Sequence, residues 1–162
     1  MNIRDTARRA NTLAAAVTAP LQSLFLLGLR LYVSWQFLLS GWEKLQDWDT
    51  TRVLFHEEYH VPLLPPDLAA LLGTFGEMAF PALLVAGLFT RYAALGLSLV
   101  NVMAVVSYAH VLLAEGYEAA LGQHVLWGVM AATLVVFGGG RWSLDQWLGG
   151  AAPASARSPG TR

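Results

Sequence analysis

Residues 21–42, LQSLFLLGLRLYVSWQFLLSGW, form an apolar run with a single charge, Arg30, near its middle. A helix needs about 20 residues to cross the roughly 30 Å of hydrocarbon in a bilayer, so this run is long enough to span it. Residues 68–89, LAALLGTFGEMAFPALLVAGLF, repeat the pattern with a single opposite charge, Glu77. A lone charge at the bilayer centre costs about 2.5–3.5 kcal/mol, so such residues face the protein interior and find partners. The two runs predict a membrane protein with a polar feature inside its bundle.

Two further apolar runs, residues 92–113 and 119–137, complete a set of four. Hydrophobic residues make up 56% of the 162-residue chain and charged residues 13%. The sequence therefore predicts an all-α fold, a bundle of four transmembrane helices. We assign residues 1–20 to a cytoplasmic N-terminal tail, residues 21–148 to the membrane domain and residues 149–162 to a disordered C-terminal tail, since a Gly/Ala/Pro/Ser-rich segment cannot build a core.

The placement of Lys and Arg predicts the orientation. Cytoplasmic loops of membrane proteins carry an excess of these residues. In this chain one side holds seven arginines: Arg4, Arg8, Arg9, Arg91, Arg141, Arg157 and Arg162. The other side holds only Lys44 and Arg52. Both termini are therefore predicted to be cytoplasmic, as in a multi-pass protein of a bacterial-type inner membrane, with the long loop of residues 43–67 outside.

Composition also limits the chemistry. The chain has no cysteine, which excludes thiol–disulfide exchange, iron–sulfur clusters and thiolate zinc sites within it. Any redox role must then use a bound cofactor, a quinone or a partner subunit. No basic cluster of the kind that follows phosphates is present, so nucleic acid is not an expected partner.

Arg30 and Glu77 are the first candidate site. Counted from the predicted outer ends of their helices, both lie about 14–16 Å deep, so two helices joined by an outer loop could pair them. Asn101 lies at similar depth in the third run, and Gln36 lies one and a half turns from Arg30. One interpretation is a structural ion pair that fixes helix register. The other is a buried polar network that forms the floor of a cavity or handles protons or quinone.

The outer loop contains His56, Glu57 and His60 in the pattern His-Glu-x-x-His. On a helix this spacing puts two imidazoles on one face, as in zinc proteases. Pro62 follows closely, so the supporting helix must be short, and a solvated polar loop is the competing interpretation. We keep the three residues as weak metal-binding candidates.

His110 and His124 lie near the outer ends of the third and fourth runs. All four histidines are thus predicted on one side of the membrane. Clustered histidine and carboxylate side chains bind zinc or copper, and two facing histidines can ligate haem iron. The alternative is that both rings simply lie at the interface. His110 and His124 are our candidates for cofactor binding.

Several segments together resemble the DoxX family of small four-helix membrane proteins. They are Arg30-Leu31, Ser40-Gly41, Lys44, residues 46–49, Glu58-Tyr59, residues 61–66, Leu68-Ala69, Glu77, residues 87–91, His124, Trp127, Gly140-Arg141 and residues 143–145. The resemblance covers roughly residues 24–148. It implies a four-helix membrane fold and, from the family's name-giving members, association with a thiosulfate:quinone oxidoreductase. Other members are accessory membrane subunits in redox or metal-stress responses.

The expected function is accordingly an accessory membrane subunit of a redox or metal-stress system that interacts with quinone, as a subunit of a quinone-linked oxidoreductase. The alternatives are a metal- or haem-binding or transport protein that uses the outer histidines, and a structural membrane anchor for a partner protein. The residues themselves define no cofactor: quinone is the first candidate, ahead of metal or haem. The expected partners are the lipid bilayer and either a protein subunit or a second copy of the chain.

Overall fold

Seven helices make up the fold in the computed structural model, which describes residues 3–150. No strand occurs in this part of the chain. The helices are α1 (Ile3–Gln46), α2 (Trp48–Glu57), α3 (Pro66–Ala86), α4 (Thr90–Ser107), α5 (Ala109–Leu112), α6 (Glu118–Phe137) and α7 (Leu144–Gly150). Four of them, α1, α3, α4 and α6, are long and apolar enough to cross a membrane. The predicted all-α bundle of four transmembrane helices is confirmed, while its orientation remains a prediction.

The four long helices form a closed ring. Helix α1 packs against α3, α3 against α4, α4 against α6, and α6 returns to α1. Their shared core is apolar and contains Leu26, Val33, Phe37, Leu84, Ala93, Ala94, Leu97 and Leu134. Small residues bring the helices close together: a Cβ on Gly96 would overlap with the ring of Phe80. Close approach through glycine is how membrane helices associate without a hydrophobic driving force between them.

The helix boundaries differ from the predicted runs at two places. Helix α1 begins at Ile3, far ahead of residue 21, so the described part of the predicted N-terminal tail is helical and continuous with the first span. The third run is interrupted at Tyr108, between α4 and α5. There the backbone N–H of His60 donates to the carbonyl of Ser107 at 2.9 Å, so the loop between α2 and α3 satisfies the end of α4. The predicted disordered C-terminal tail was residues 149–162; residues 149 and 150 instead belong to α7, and the remainder lies outside the described residues.

The long loop of residues 43–67 contains a helix, α2. Asp47 caps its N-terminus, accepting a hydrogen bond from the backbone N–H of Thr50 at 3.0 Å. Phe55 of α2 packs on Ala69 and Ala70 of α3 in a second small core. Helix α2 therefore lies over one end of the bundle rather than projecting away from it.

The turn between α3 and α4 is tight. Gly87 ends α3 in the left-handed conformation (φ 69°), a conformation that glycine adopts without a Cβ penalty. Phe89 then starts α4 at φ 49° with no capping side chain of its own. Arg91, which falls between the two apolar runs of residues 68–89 and 92–113, lies inside α4.

Candidate functional site

A cavity of about 640 Å³ lies within the bundle, beneath α2 and residues 58–64. Its walls come from all four long helices and are largely apolar. The polar side chains that line it include Gln36, Ser40, Lys44, Tyr59, Glu77, Tyr108 and His124. Small-molecule sites in proteins have this composition, with a few polar groups on an apolar wall and a volume of about 300–1,000 Å³.

An ion pair lies in the cavity wall between α1 and α3. The ammonium Nζ of Lys44 contacts both carboxylate oxygens of Glu77, at 2.8 and 3.1 Å, and the hydroxyl of Ser40 at 2.8 Å. The side chains of Lys44 and Glu77 are only 16% and 11% exposed. Three acceptors match the three N–H donors of an ammonium group, so Lys44 is fully satisfied within the protein.

Arg30 lies elsewhere, at the opposite end of the bundle. Its Nη1 donates to the carbonyl of Gly139 at 2.7 Å, and its Nη2 donates to the carbonyl of Trp142 at 3.0 Å. Arg30 is 1% exposed. A Cβ on Gly87 or Gly139 would lie within 3.0 Å of its guanidinium, so glycine is required for this close packing. Arg30 thus binds the segment between α6 and α7 to α1.

Asp145 of α7 reinforces the same end. Its carboxylate accepts hydrogen bonds from the backbone N–H groups of Phe89 and Thr90, at 2.7 and 2.8 Å, and so caps α4 from outside that helix. Its own N–H donates to the carbonyl of Gly87. Burial alone would raise the pKa of Asp145, but these hydrogen bonds and the charge of Arg30 outweigh it and hold the pKa below its usual value.

The predicted pairing of Arg30 with Glu77 is therefore wrong. A Cβ on Gly41 would lie 3.1 Å from the Cβ of Glu77, so Glu77 is level with Gly41. Gly41 is eleven residues beyond Arg30, which is about 16 Å along a helix. The expected equal depth assumed that Gly41 and Leu68, the counted ends of the two runs, lie level, whereas Gly41 lies beside Glu77 and α1 continues past it to Gln46.

The predicted polar network is likewise divided among separate partners. Asn101 is 5% exposed and bonds to His124 rather than to Arg30 or Glu77. Its Nδ2 donates to the carbonyl of His124 at 2.9 Å, and its Oδ1 lies 2.8 Å from the ring Nδ1 of the same residue. Gln36 is half-buried and lines the cavity. Glu77, Gln36 and His124 thus contribute to one cavity, whereas Arg30 is not among its lining residues.

The four histidines do not come together as one cluster. His56 is exposed and lies 3.3 Å from a carboxylate oxygen of Asp67. Helix α2 ends at Glu57, so His60 is off the helix and its ring instead lies against that of His110, with 4.6 Å between centroids. Across residues 3–150, no group of three or more His, Cys, Asp or Glu side chains is close enough to hold a metal ion.

Tyr59 also lines the cavity, although the sequence pattern does not predict it as a site residue. It follows α2, and its ring packs edge-on against Phe55 and Tyr108, at 4.9 and 5.3 Å between centroids. Burial raises the pKa of Tyr59, and the neighbouring Tyr108, Glu77 and Glu58 raise it further. The hydroxyl keeps its proton at neutral pH, as an ordinary tyrosine does, and it has no hydrogen-bond partner among the described residues.

Lys44 was also missed as a site residue, although the family resemblance includes it. The end of the apolar run at residue 42 places Lys44 in the loop that follows it. A usable signal was present: Ser40 precedes Lys44 by four residues, which places both side chains on one face of a helix that continues past the run.

The fold and the cavity together define a small multi-pass membrane protein with an internal ligand-sized space. The chain belongs to the DoxX family, whose sequence model matches residues 25–111, a segment that includes Lys44, Glu77 and Asn101. It is also 30% identical over 127 residues to a protein of Haemophilus influenzae described as uncharacterized, covering 74% of this chain and 80% of that relative. No solved structure matches it.

Proposed function

We propose that the protein is an accessory membrane subunit of a redox system and that its cavity binds the ring of a quinone. The observation that carries this proposal is the cavity of about 640 Å³ with apolar walls and a buried Lys44–Glu77 pair in its lining. Ionisable side chains inside a membrane bundle are costly and usually belong to functional sites. A buried ion pair is, by itself, weak evidence of a stabilising role.

The lining residues suit a quinone in size and in chemistry. A substituted benzoquinone or naphthoquinone ring is flat and apolar, with two carbonyl oxygens that accept hydrogen bonds. The Tyr59 hydroxyl and the Gln36 amide are donors that have no partner among the described side chains and could bind those oxygens. The remaining walls, which include Phe37, Phe80 and Trp127, would cover the ring faces.

The chain's own contribution would be binding, orientation and exclusion of water. A bound quinone supplies two-electron, two-proton redox chemistry. Because the chain has no cysteine, electrons would reach the ring from a partner protein, which is why we propose an accessory subunit of a quinone-linked oxidoreductase. Tyr59 would fix the position of one ring oxygen, and the Lys44–Glu77 pair would keep one end of the cavity polar.

Purification in a mild detergent followed by solvent extraction tests the proposal. We expect a membrane quinone in the extract, and we expect the purified protein to bind a decyl-tailed benzoquinone. Tyr59→Phe keeps the aromatic packing and removes only the hydroxyl, so we expect about tenfold weaker binding, the equivalent of one hydrogen bond. Tyr117→Phe makes the same change at an exposed tyrosine and should bind as the unmodified protein does.

Other outcomes distinguish the competing functions. An extract without quinone, together with no binding of the decyl-benzoquinone, would overturn the proposal. A stoichiometric metal, or a Soret band that disappears in a His110→Ala/His124→Ala variant, would favour the metal- or haem-binding alternative. A protein that copurifies with the quinone-free chain would favour the structural anchor.

The predicted orientation belongs to the same proposal. A quinone-linked subunit of a bacterial-type inner membrane with both termini cytoplasmic would expose α2 and the histidines outside. A reporter fused after Arg162 should then behave as cytoplasmic and one inserted beside Asp49 as extracytoplasmic. The reverse pattern would place the cavity's covered end at the cytoplasmic face.

A further inference from the structure

Asn101 determines which nitrogen of His124 carries the proton. The Nδ2 of Asn101 lies 2.9 Å from the backbone carbonyl of His124, and a carbonyl oxygen only accepts hydrogen bonds. The amide nitrogen of Asn101 must therefore face this carbonyl, because in the flipped amide two acceptor oxygens, Oδ1 and the carbonyl oxygen, would face each other. This leaves Oδ1, which also only accepts, 2.8 Å from the Nδ1 of the His124 ring. Nδ1 must then carry the hydrogen.

The other ring nitrogen is consequently a free acceptor. A neutral imidazole has one N–H and one lone pair, so a proton on Nδ1 leaves the lone pair on Nε2. Nε2 has no hydrogen-bond partner among the described residues, while the His124 side chain lines the cavity. The ring of Trp127 lies edge-on to it at 5.0 Å between centroids and restricts its rotation. Asn101 is 5% exposed, so water does not compete for the contact that fixes the ring.

We infer that His124 offers Nε2 as a hydrogen-bond acceptor to a hydroxyl of the cavity's ligand, with Asn101 as the positioning residue that fixes this tautomer. The inference rests on the proposed function only in that the same cavity takes a ligand. For a quinone, the inference predicts which redox form the cavity prefers. The reduced ring carries hydroxyl groups that can donate to Nε2, whereas the oxidised ring carries none. The cavity should accordingly bind the reduced, hydroxyl-bearing form more tightly.

Nitrogen NMR of the whole protein tests the tautomer without any ligand. The protein is labelled with ¹⁵N-histidine in detergent at pH 8, and the His124 signals are identified by their loss in His124→Gln. We expect a protonated Nδ1 and an unprotonated Nε2. Asn101→Ala should shift the signals toward a mixture of tautomers. Ser98→Ala should leave them unchanged, because the Ser98 hydroxyl on the same helix donates to the carbonyl of Ala94 and not to His124 or Asn101. A protonated Nε2 in the unmodified protein would overturn the inference.

A matched pair of probes tests the acceptor itself. A 4-hexylphenol and its methyl ether share ring and tail, but only the phenol can donate a hydrogen bond. We expect the phenol to bind about tenfold more tightly than the ether to the unmodified protein and to Ser98→Ala. In Asn101→Ala and His124→Phe, the preference for the phenol should fall toward the ratio that the different hydrophobicity of the two probes gives by itself. Equal preference in all four proteins, or no binding of either probe, would overturn the inference.

The two tests separate this inference from the proposed function. Binding of the decyl-benzoquinone without a phenol preference leaves the function standing and removes the role of His124. The phenol preference and the Nδ1-protonated signal without any quinone binding leave His124 as an acceptor and remove quinone as the ligand.

Discussion

The two ends of the bundle each contain a buried charge, and the surroundings of those charges differ. Arg30 is 1% exposed and donates to two backbone carbonyls, and glycines at positions 87 and 139 pack against its guanidinium. Glu77 pairs with Lys44 at 2.8 Å in the wall of a cavity of about 640 Å³. The same sequence signal is a lone charge in an apolar run. At one end of the bundle it belongs to a residue that links α1 to the segment between α6 and α7, and at the other end it belongs to a residue in the wall of a cavity.

The difference teaches that the space beside a buried charge indicates its role better than the charge does. At the Arg30 end no side chain could be added at Gly139 without displacing a neighbour, since a Cβ there would lie 2.7 Å from Thr90 Oγ1. Removing the charge there should affect stability. At the Glu77 end the space is already present, so removing the charge should affect ligand binding more than folding.

The largest expected effect is that of Arg30→Leu. The change removes both hydrogen bonds to the carbonyls of Gly139 and Trp142, and a hydrogen bond to a charged group contributes about 1.5–3 kcal/mol. We expect the free energy of unfolding in detergent to fall by about 3 kcal/mol or more. Arg91→Leu, at an exposed arginine, should change it by less than about 0.5 kcal/mol. If Arg30→Leu lowered the free energy of unfolding no more than Arg91→Leu does, the stabilising role of the Arg30 hydrogen bonds would be refuted.

Gly139→Ala should destabilise the same end by about 2 kcal/mol. The added Cβ would lie 2.7 Å from both Thr90 Oγ1 and Ser143 Cβ and 3.0 Å from Arg30 Nη1, and overpacking of this kind costs about 1–3 kcal/mol. Gly28→Ala is the matched control, because nothing lies within 4 Å of its Cβ position in the middle of α1. It should be neutral or stabilise by up to about 1 kcal/mol, as alanine favours a helix more than glycine does. The thermal midpoints of the two variants therefore move in opposite directions, and a shift in the same direction would contradict the packing.

The fold was predictable from the sequence because hydrophobic length is a strong signal. A span needs about 20 apolar residues, and all four spans were found on that ground. The pairing of charged side chains was harder to predict, since it depends on how far neighbouring helices are shifted along each other. The level of Glu77 along α1 differs by about eleven residues from the expected one, so that Glu77 pairs with Lys44 instead of Arg30. The end of α1 could not be located from hydrophobicity, because Glu43 and Lys44 continue the helix beyond the apolar run.

The site was predictable only in part. Gln36, Glu77 and His124 are candidates from the sequence that line the cavity, although the expected partner Arg30 does not. Tyr59 is not among these candidates, because an aromatic residue in a polar loop carries no signal until the loop folds back over the bundle. The His-Glu-x-x-His match failed as a helical motif for a local reason: α2 ends at Glu57, before the second histidine.

A double-mutant cycle at the cavity end should give a smaller coupling. Lys44→Met and Glu77→Leu each leave one partly buried charge, while the double variant leaves none. We expect a coupling energy of about 1–2 kcal/mol, above the roughly 0.2–1 kcal/mol of an exposed pair, because the side chains are only 16% and 11% exposed. Arg30→Leu and Glu77→Leu should instead add to within about 0.5 kcal/mol, since they share no partner. Coupling between Arg30 and Glu77 would overturn the separation of the two ends.

The smallest expected effect concerns the pH dependence of the Arg30 end. The pKa of Asp145 is lowered in the folded protein, because its hydrogen bonds from Phe89 and Thr90 and the charge of Arg30 outweigh the effect of burial. Its contribution to stability is therefore complete above the unfolded-state pKa, about 3.9, and is lost as the pH falls through the lower folded-state value. The difference in thermal midpoint between the unmodified protein and Asp145→Asn should be constant from pH 7 to pH 5 and shrink only below about pH 4. Asp49→Asn, at an exposed residue of α2, is the control for general charge effects, and its difference should be small throughout. If the Asp145→Asn difference vanished already at pH 6, the carboxylate would not be the cap that joins α7 to α4.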